Sequence, residues 1–420
     1  MTATDPSSAV ETVWRMESAR IIAGLTRLVH DVGLAEELAQ DAVVIALEQW
    51  PRDGVPDNPG AWLMATAKHR AIDGMRRRQR YDQKLQELGR DVAESDEPEL
   101  AAAVDDHIGD DLLRLIFMSC HPTLSTESRV ALTLRLFGGL TTDETARALL
   151  VPEPTVAQRI VRAKKSLTGV RFELPSPPEL AERLASVLEV VYLIFNEGYS
   201  ATAGDDCMRP ALSEEALRLG RLLAGLAPAE PEVHGLVALM EIQASRTRAR
   251  TGPDGSAILL PDQDRRLWDR LLIRRGLAAL AEAERLTAGR VLGPYALQAA
   301  IAACHARAGT AEETDWSRIA ALYRVLGTVS PSPVVELNRA VAVGRAEGPA
   351  AGLAVVDAVR TERSLAGYAL LPAVRADLLA SLGRAAEARA EFEAAARLTR
   401  NERERAVFLA RAARLAESQG

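Results

Sequence analysis

Residues 127–167, ESRVALTLRLFGGLTTDETARALLVPEPTVAQRIVRAKKSL, read as a helix-turn-helix whose second helix carries a basic outer face. Thr141 or Thr142 is placed to cap the first helix of the pair, Ala146, Leu149 and Leu150 give it an apolar face, and Val151-Pro152-Glu153 breaks it. The next helix starts at Pro154, where a missing N–H costs nothing. Val156, Ile160, Ala163 and Leu167 recur at helical spacing and are expected to face a core. That leaves Ala157, Gln158, Val161, Arg162 and Lys165 outward, with Arg159 at the border. Gln and Arg can make bidentate contacts to base edges, and Lys164, Lys165 and Arg171 can neutralise phosphates. No acidic residue occurs from Pro154 to Arg171. A lone basic helix is ordinarily a solvated face; here the order of helix, break and helix points to the major groove of duplex DNA.

Composition bounds the remainder. A chain of 420 residues with 48% hydrophobic content can bury more than one core, so two or three domains are expected. The net charge of −7 excludes a generally basic nucleic-acid coat, so DNA binding must be local. Cys120, Cys207 and Cys304 are widely spaced and form no CxxC pair, which suggests neither a disulfide framework nor a cysteine zinc site. Cys120-His121 has no second close Cys/His pair and reads as core packing. The first residues, MTATDPSSAVETVW, lack a basic segment followed by an apolar one, and no apolar run approaches the roughly 20 residues needed to span a bilayer. A cytoplasmic location without membrane contact is expected. Abundant Ala, Leu, Arg and Glu with 4% aromatics favour an all-α fold.

The chain divides by punctuation. Up to about residue 85, apolar residues fall at helical spacing, as in Ile21, Ile22, Leu25, Leu28 and Val29, then Leu38, Ala42, Val43 and Leu47. A loop, PRDGVPDNPG, precedes a helix from about Pro59 that combines an apolar stripe (Trp62, Leu63, Ala67, Ile72) with Lys68, Arg70, Arg76, Arg77, Arg78 and Arg80. Residues 86–109 are strongly acidic and read as a linker, with a short helix conceivable over Leu100 to Val104. The helix-turn-helix block occupies 110–173, LPSPPEL closes it, and a long helical remainder covers 178–420.

AEELAQDAVVIALEQW, then the loop, then NPGAWLMATAKHRAIDGMRRRQR resembles region 2 of the extracytoplasmic-function (ECF) sigma factors, and SRVALTLRLFGGLTTDETARALLVPEPTVAQRIVRAKKSL resembles their region 4. With its long C-terminal extension the chain looks most like the subgroup that carries tetratricopeptide-type domains. The resemblance implies a non-enzymatic protein without cofactor that recruits core RNA polymerase, through the β′ clamp helices and the β flap, to promoter DNA. It assigns Glu36, Glu37, Gln40 and Asp41 to polymerase docking, as an acidic and amide ridge facing a basic partner helix. It assigns the loop with Asp53, Gly54 and Asn58 to capture of an unstacked −10 base, and Trp62, Lys68, His69 and Arg70 to the melted strand, with Arg76, Arg77 and Arg78 on phosphates. By its place at the start of the apolar stripe, Trp62 reads as core rather than as a stacking platform. His69 departs from the family pattern WLxxxAxNxxID, which places the −10 base preference in question. Thr155, Ala157, Gln158, Arg159, Arg162, Lys164 and Lys165 fall to the −35 element.

Near the end, Gly383 followed by Ala388, Phe392 and Ala395 has the small-large-small spacing of tetratricopeptide hairpins, although Pro372 and Arg375 break the register. Residues 336–359 resemble a second hairpin more loosely. Such repeats would offer a surface to a protein or peptide partner and regulate the chain; a plain helical bundle is the alternative. IFNEGYSA (194–201) and LPDQDRRLWDR (260–270) gather Asn196, Glu197, Asp262, Asp264 and Asp269 into apolar surroundings, which suits either a site or cap-and-turn chemistry. Two other readings of the whole remain: a one-component DNA-binding regulator with a helical sensor domain, and a helical-repeat scaffold.

Overall fold

Short-range helical periodicity and a scarcity of β-branched runs favour helix along the chain. The computed structural model describes residues 6–87, 108–138, 140–149, 151–199, 210–252, 258–399 and 402–417, and among these every extended element is an α-helix. The chain falls into two units, 1–191 and 192–420. The expected start of the last block, 178, falls at the beginning of a helix, α8 (Pro177–Tyr199), and the division between the units falls within that helix.

The first unit holds α1 (Pro6–Val29), α2 (Val32–Asp53), α3 (Pro59–Glu87), α4 (Ile108–Ser119), α5 (Thr126–Phe137), α6 (Thr142–Leu149), α7 (Glu153–Leu167) and the first part of α8 (Pro177–Tyr199). Helix boundaries follow capping chemistry. Asp31 caps α2 by accepting from Leu34 N at 2.9 Å, and Asn58 caps α3 by accepting from Ala61 N at 3.1 Å, with Pro59 in the first helical position. Helix α2 runs through Pro51 to Asp53, so Asp53 lies in its last turn and the connecting loop is shorter than expected, 54–58. Pro51 costs little so near a C-terminus, where its missing N–H leaves only an exposed turn to be hydrated.

Packing corrects one sequence stripe. In α2 the inward face is Ala35, Ala39, Ala42, Ala46 and Trp50, whereas Leu47 is exposed. Small alanines let α1 approach closely, so the seam follows residue size rather than hydrophobicity alone. Helix α3 also outruns its block: 86 and 87, expected as linker, are helical, and α4 begins at Ile108. The remaining acidic stretch, including Leu100 to Val104, lies outside the described residues.

The second unit contains the end of α8, then α9 (Pro210–Leu226), α10 (Pro231–Ala244), α11 (Arg270–Thr287), α12 (Pro294–Arg307), α13 (Trp316–Val329), α14 (Pro333–Ala346), α15 (Pro349–Val359), α16 (Leu370–Ser381), α17 (Ala385–Leu398) and α18 (Glu402–Glu417). Sequential helices pair as hairpins and stack on the next pair: α10 with α11, α14 with α15, α16 with α17, and α17 with α18. The expected Ala388, Phe392 and Ala395 are buried, and Gly383, at φ +76°, makes the left-handed turn between α16 and α17. Arg375, off pattern for a repeat, bridges Asp357 and Glu391 at 2.8 Å each and so ties three helices by charge where the repeat would use an apolar side chain. Helices α14 and α15 touch at glycine: a Cβ on Gly352 would lie 2.7 Å from Ala340 O and 2.8 Å from Gly344 Cα.

Candidate nucleic-acid and polymerase interface

The helix-turn-helix begins with a reciprocal cap. Thr141 Oγ1 accepts from Glu144 N at 3.1 Å, while Glu144 Oε2 accepts from Thr141 N at 2.8 Å. Helix α7 then buries Val156, Ile160, Ala163 and Leu167, the four positions expected from spacing. Each large apolar side chain there stabilises the unit by about 1.5–3 kcal/mol relative to exposure. With that stripe anchored on α5 and α6, the opposite face is fixed outward: Gln158, Val161, Arg162 and Lys165 are exposed, and Thr155, Ala157 and Arg159 are half-buried.

Lys164 differs from its neighbours. It is half-buried, and its Nζ lies 2.6 Å from Glu36 Oε2 on α2. Glu36 itself is buried, with its side chain 3% exposed, and its Oε1 accepts from Arg135 Nε at 2.7 Å and from Gln40 Nε2 at 2.8 Å. Glu36 thus does not belong to a solvent-facing ridge. Sequence spacing placed it on the outside of α2, but a carboxylate can leave water when two cations and an amide converge on it. Glu37 is exposed, and Gln40 and Asp41 are half-buried, Asp41 being held by Arg70 at 2.8 Å.

The α2–α3 loop and the start of α3 bring Asp53, Asn58 and Trp62 to one end of the unit. Trp62 packs edge-on against buried Trp50 with ring centroids 5.6 Å apart, so it closes the core below the loop. Asn58 spends its carbonyl on the α3 cap, leaving its amide NH2 as the donor. His69, Arg70, Arg76, Arg77 and Arg80 are exposed and Lys68 is half-buried along α3, a mainly basic face interrupted by exposed Asp73; the Arg78 side chain lies outside the described residues.

Other candidates resolve as structure. Cys120 is buried against Thr133 Oγ1 at 3.7 Å, and burial pushes its thiol pKa up. His121 turns back on Thr123 Oγ1 at 2.8 Å. In the second unit Asp264 accepts from Arg266 N and Asp269 from Leu271 N and Leu272 N, the cap-and-turn alternative. No group of three potential metal ligands converges among the described residues, nor is any described helix long and apolar enough to cross a membrane.

Sequence reasoning missed a cleft of about 800 Å³ in the second unit, lined among others by Leu260, Arg265, His305, Trp316, Arg345 and Arg411. Arg265 is buried and donates to the carbonyls of His305 and Ala308 at 2.6 and 2.8 Å, fixing the α12–α13 connection. His305 stands edge-on to Trp316 at 5.2 Å; burial, with Arg246 and Arg265 nearby, lowers its pKa to about 4. Of the segment 260–270 only Leu260, Pro261, Asp262 and Arg265 line it, and its other walls come from residues as distant as Arg411.

The chain matches the sigma-70 region 2 family over residues 14–81 and the sigma-70 region 4 family over 114–167. Residues 183–284 match a family of unknown function, DUF6596. An uncharacterized protein of Rhizobium meliloti (strain 1021) is 46% identical over 387 residues, covering 91% of this chain and 90% of that protein. The ECF RNA polymerase sigma factor SigK of Mycobacterium sp. (strain KMS) is 29% identical over 166 residues, 36% of this chain and 79% of the relative. SigK of Mycobacterium ulcerans (strain Agy99) is also 29% identical, over 156 residues. No solved structure matches. The chain thus carries sigma-70 regions 2 and 4 in family order, which support a sigma-70 family factor, and it belongs to one family with the Rhizobium protein, to which it is similar along almost its whole length.

Proposed function

We propose that the chain is an alternative sigma factor of the ECF type that binds core RNA polymerase, directs it to −10 and −35 promoter elements, and is regulated through its helical C-terminal unit. The observation that carries this reading is the outward face of α7, where Gln158, Arg162 and Lys165 are exposed above a fully buried apolar stripe. A helix so mounted fits the major groove, with Arg162 and Gln158 on base edges and Lys165 on phosphate. The cationic face of α3 suits the melted strand near −10, and Asp53, Asn58 and the backbone of the 54–58 loop suit a flipped base. Glu37, Gln40 and Asp41 suit a basic helix of the polymerase clamp, whereas Glu36 is buried between Arg135 and Lys164.

The tetratricopeptide-like stacking of α14 to α18 and the cleft at Arg265 and Trp316 support a protein or peptide partner for the second unit. The deciding experiment is multi-round transcription with purified core polymerase and a promoter library, using the full chain and a chain ended after Val191. Chain-dependent initiation at a shared −10/−35 pattern is the expected result. Binding of duplex without initiation would overturn it in favour of a one-component regulator.

A further inference from the structure

Positive charge gathers without matching carboxylates around the cleft of the second unit. Arg265, in its wall, is buried, and its three hydrogen bonds go to neutral oxygens: the carbonyls of His305 and Ala308, and the Thr314 hydroxyl at 3.2 Å. Arg246 lies against the same Trp268 ring as Arg265, at 6.0 and 4.8 Å, and its buried Nε has no hydrogen-bond partner. Arg345, also in the wall, is exposed and stands over the Trp316 ring at 5.9 Å; among the described residues no carboxylate pairs with it. Of the four, only Arg411 is matched, by Asp377 at 2.6 Å. The other acids of the wall, Asp262 and Glu312, are exposed and form no ion pair with these arginines. His305, edge-on to Trp316, feels the same field: burial and the Arg246 and Arg265 guanidiniums lower its pKa to about 4, so its ring is uncharged at neutral pH.

Guanidiniums held partly out of water carry a desolvation cost that neutral oxygens offset only in part, and a concave wall focuses their field into the cleft. An anion entering there supplies the missing counter-charge. Its form follows from the lining. The volume of about 800 Å³ lies in the range of about 300–1,000 Å³ typical of small-ligand pockets. One exposed, unshared guanidinium suits a single planar carboxylate, which it can grip through two parallel N–H···O bonds. The rim carboxylates of Asp262 and Glu312 oppose a doubly charged phosphate more strongly than a singly charged acid. Leu260, Val341 and Ala380, with the Trp316 ring, give an apolar surface for the rest of the ligand.

We propose that the cleft binds a monocarboxylic acid with an apolar body: Arg345 pairs with the carboxylate, while Trp316 and Val341 carry the body. This rests on the reading that the cleft receives a partner, and it gives that partner's chemistry, whether the carboxylate belongs to a free acid or ends a short peptide.

The full chain is titrated calorimetrically at neutral pH with sets of probes: alkyl and aryl carboxylic acids, their primary amides, N-acetylated tetrapeptides ending in apolar residues, and the same peptides amidated. Acetate and inorganic phosphate are titrated beside them. We expect the best acids to bind at least about tenfold more tightly than their amides and than acetate, which has the charge without the body. Arg345→Gln, a change at an exposed side chain, should abolish the preference for acid over amide while helical circular dichroism stays unchanged. Arg345→Lys, which keeps the charge but not the planar fork, should retain part of it. Binding confined to the free acids, or confined to the peptides with a free terminus, supports the site and identifies the source of the carboxylate.

Equal affinity for acids and amides, phosphate or acetate binding as tightly as the best acid, or an acid preference that survives Arg345→Gln would overturn the proposal. Amidated peptides that bound as well as the free ones would overturn it too, yet leave the cleft to a peptide. If no probe binds, the reading of the cleft as a partner site falls with the proposal. Should Arg345→Gln not fold, the comparison of acids with amides in the parent decides alone. No polymerase enters these titrations, so the sigma-factor reading stands or falls separately.

Discussion

His305 gives the second unit a defined acid sensitivity. An imidazole that titrates at about 6.5 in the unfolded chain titrates at about 4 in the folded one, because burial and the Arg246 and Arg265 guanidiniums oppose its positive charge. Between those values the unfolded chain binds the proton and the folded chain does not, so this stability is full above about pH 6.5 and is lost as pH falls toward about 4. Lowering the pH from 7 to 5 should cost the unit about 2 kcal/mol through this one group, since the unfolded form is then almost fully protonated and the folded form hardly at all. Glu232 acts in the opposite sense, because burial raises its carboxyl pKa despite hydrogen bonds from Tyr295 N and Ala296 N, so only a comparison isolates the histidine. Hydrogen exchange of α12 and α13 amides, corrected for intrinsic rate, reads the local opening free energy at each pH. His305→Gln, which cannot titrate, should lose about 2 kcal/mol less than the parent over this interval. Equal losses in parent and variant would refute the assignment.

Three further outcomes test the interface and the packing. Arg162→Ala should cost about 1–3 kcal/mol of binding at one −35 position and relax preference there, whereas Lys165→Ala should weaken all −35 sequences alike and lower the salt dependence of binding; affinities across a set of −35 variants at two salt concentrations check both. Gly352→Val should destabilise the second unit by about 1–3 kcal/mol or more, because its Cβ meets the Ala340 and Gly344 backbones; urea unfolding of parent and variant measures it. Thr141→Val should cost about 1 kcal/mol by removing the hydroxyl that accepts from Glu144 N, read as faster amide exchange in α6.

How much of this was legible beforehand depended on range. The core stripe of α7, the Thr141 cap and the buried Ala388, Phe392 and Ala395 follow from spacings of three or four residues, and each lies where the pattern put it. Glu36 could not be read this way. Its partners stand 99 and 128 positions away, and from α2 alone it is indistinguishable from exposed Glu37. Asp111, just past the acidic linker, likewise carries no local sign that Arg27, 84 positions earlier, draws it inside. Leu47 misled for the opposite reason, since hydrophobicity marked it for the interior while close helix packing selected the alanines. The Arg265 cleft is assembled from five helices and connections, so no local pattern carries it.

Trp50 and Trp62 flank the 54–58 loop and meet edge-on at 5.6 Å, one at the end of α2 and the other at the start of α3. The two ends of that loop are thereby clamped before anything enters it. On the proposed reading, a nucleotide received there would meet a rim whose ordering entropy was already spent when the protein folded. Promoter opening at that loop would then draw its cost from unstacking the DNA, with little added for shaping the protein.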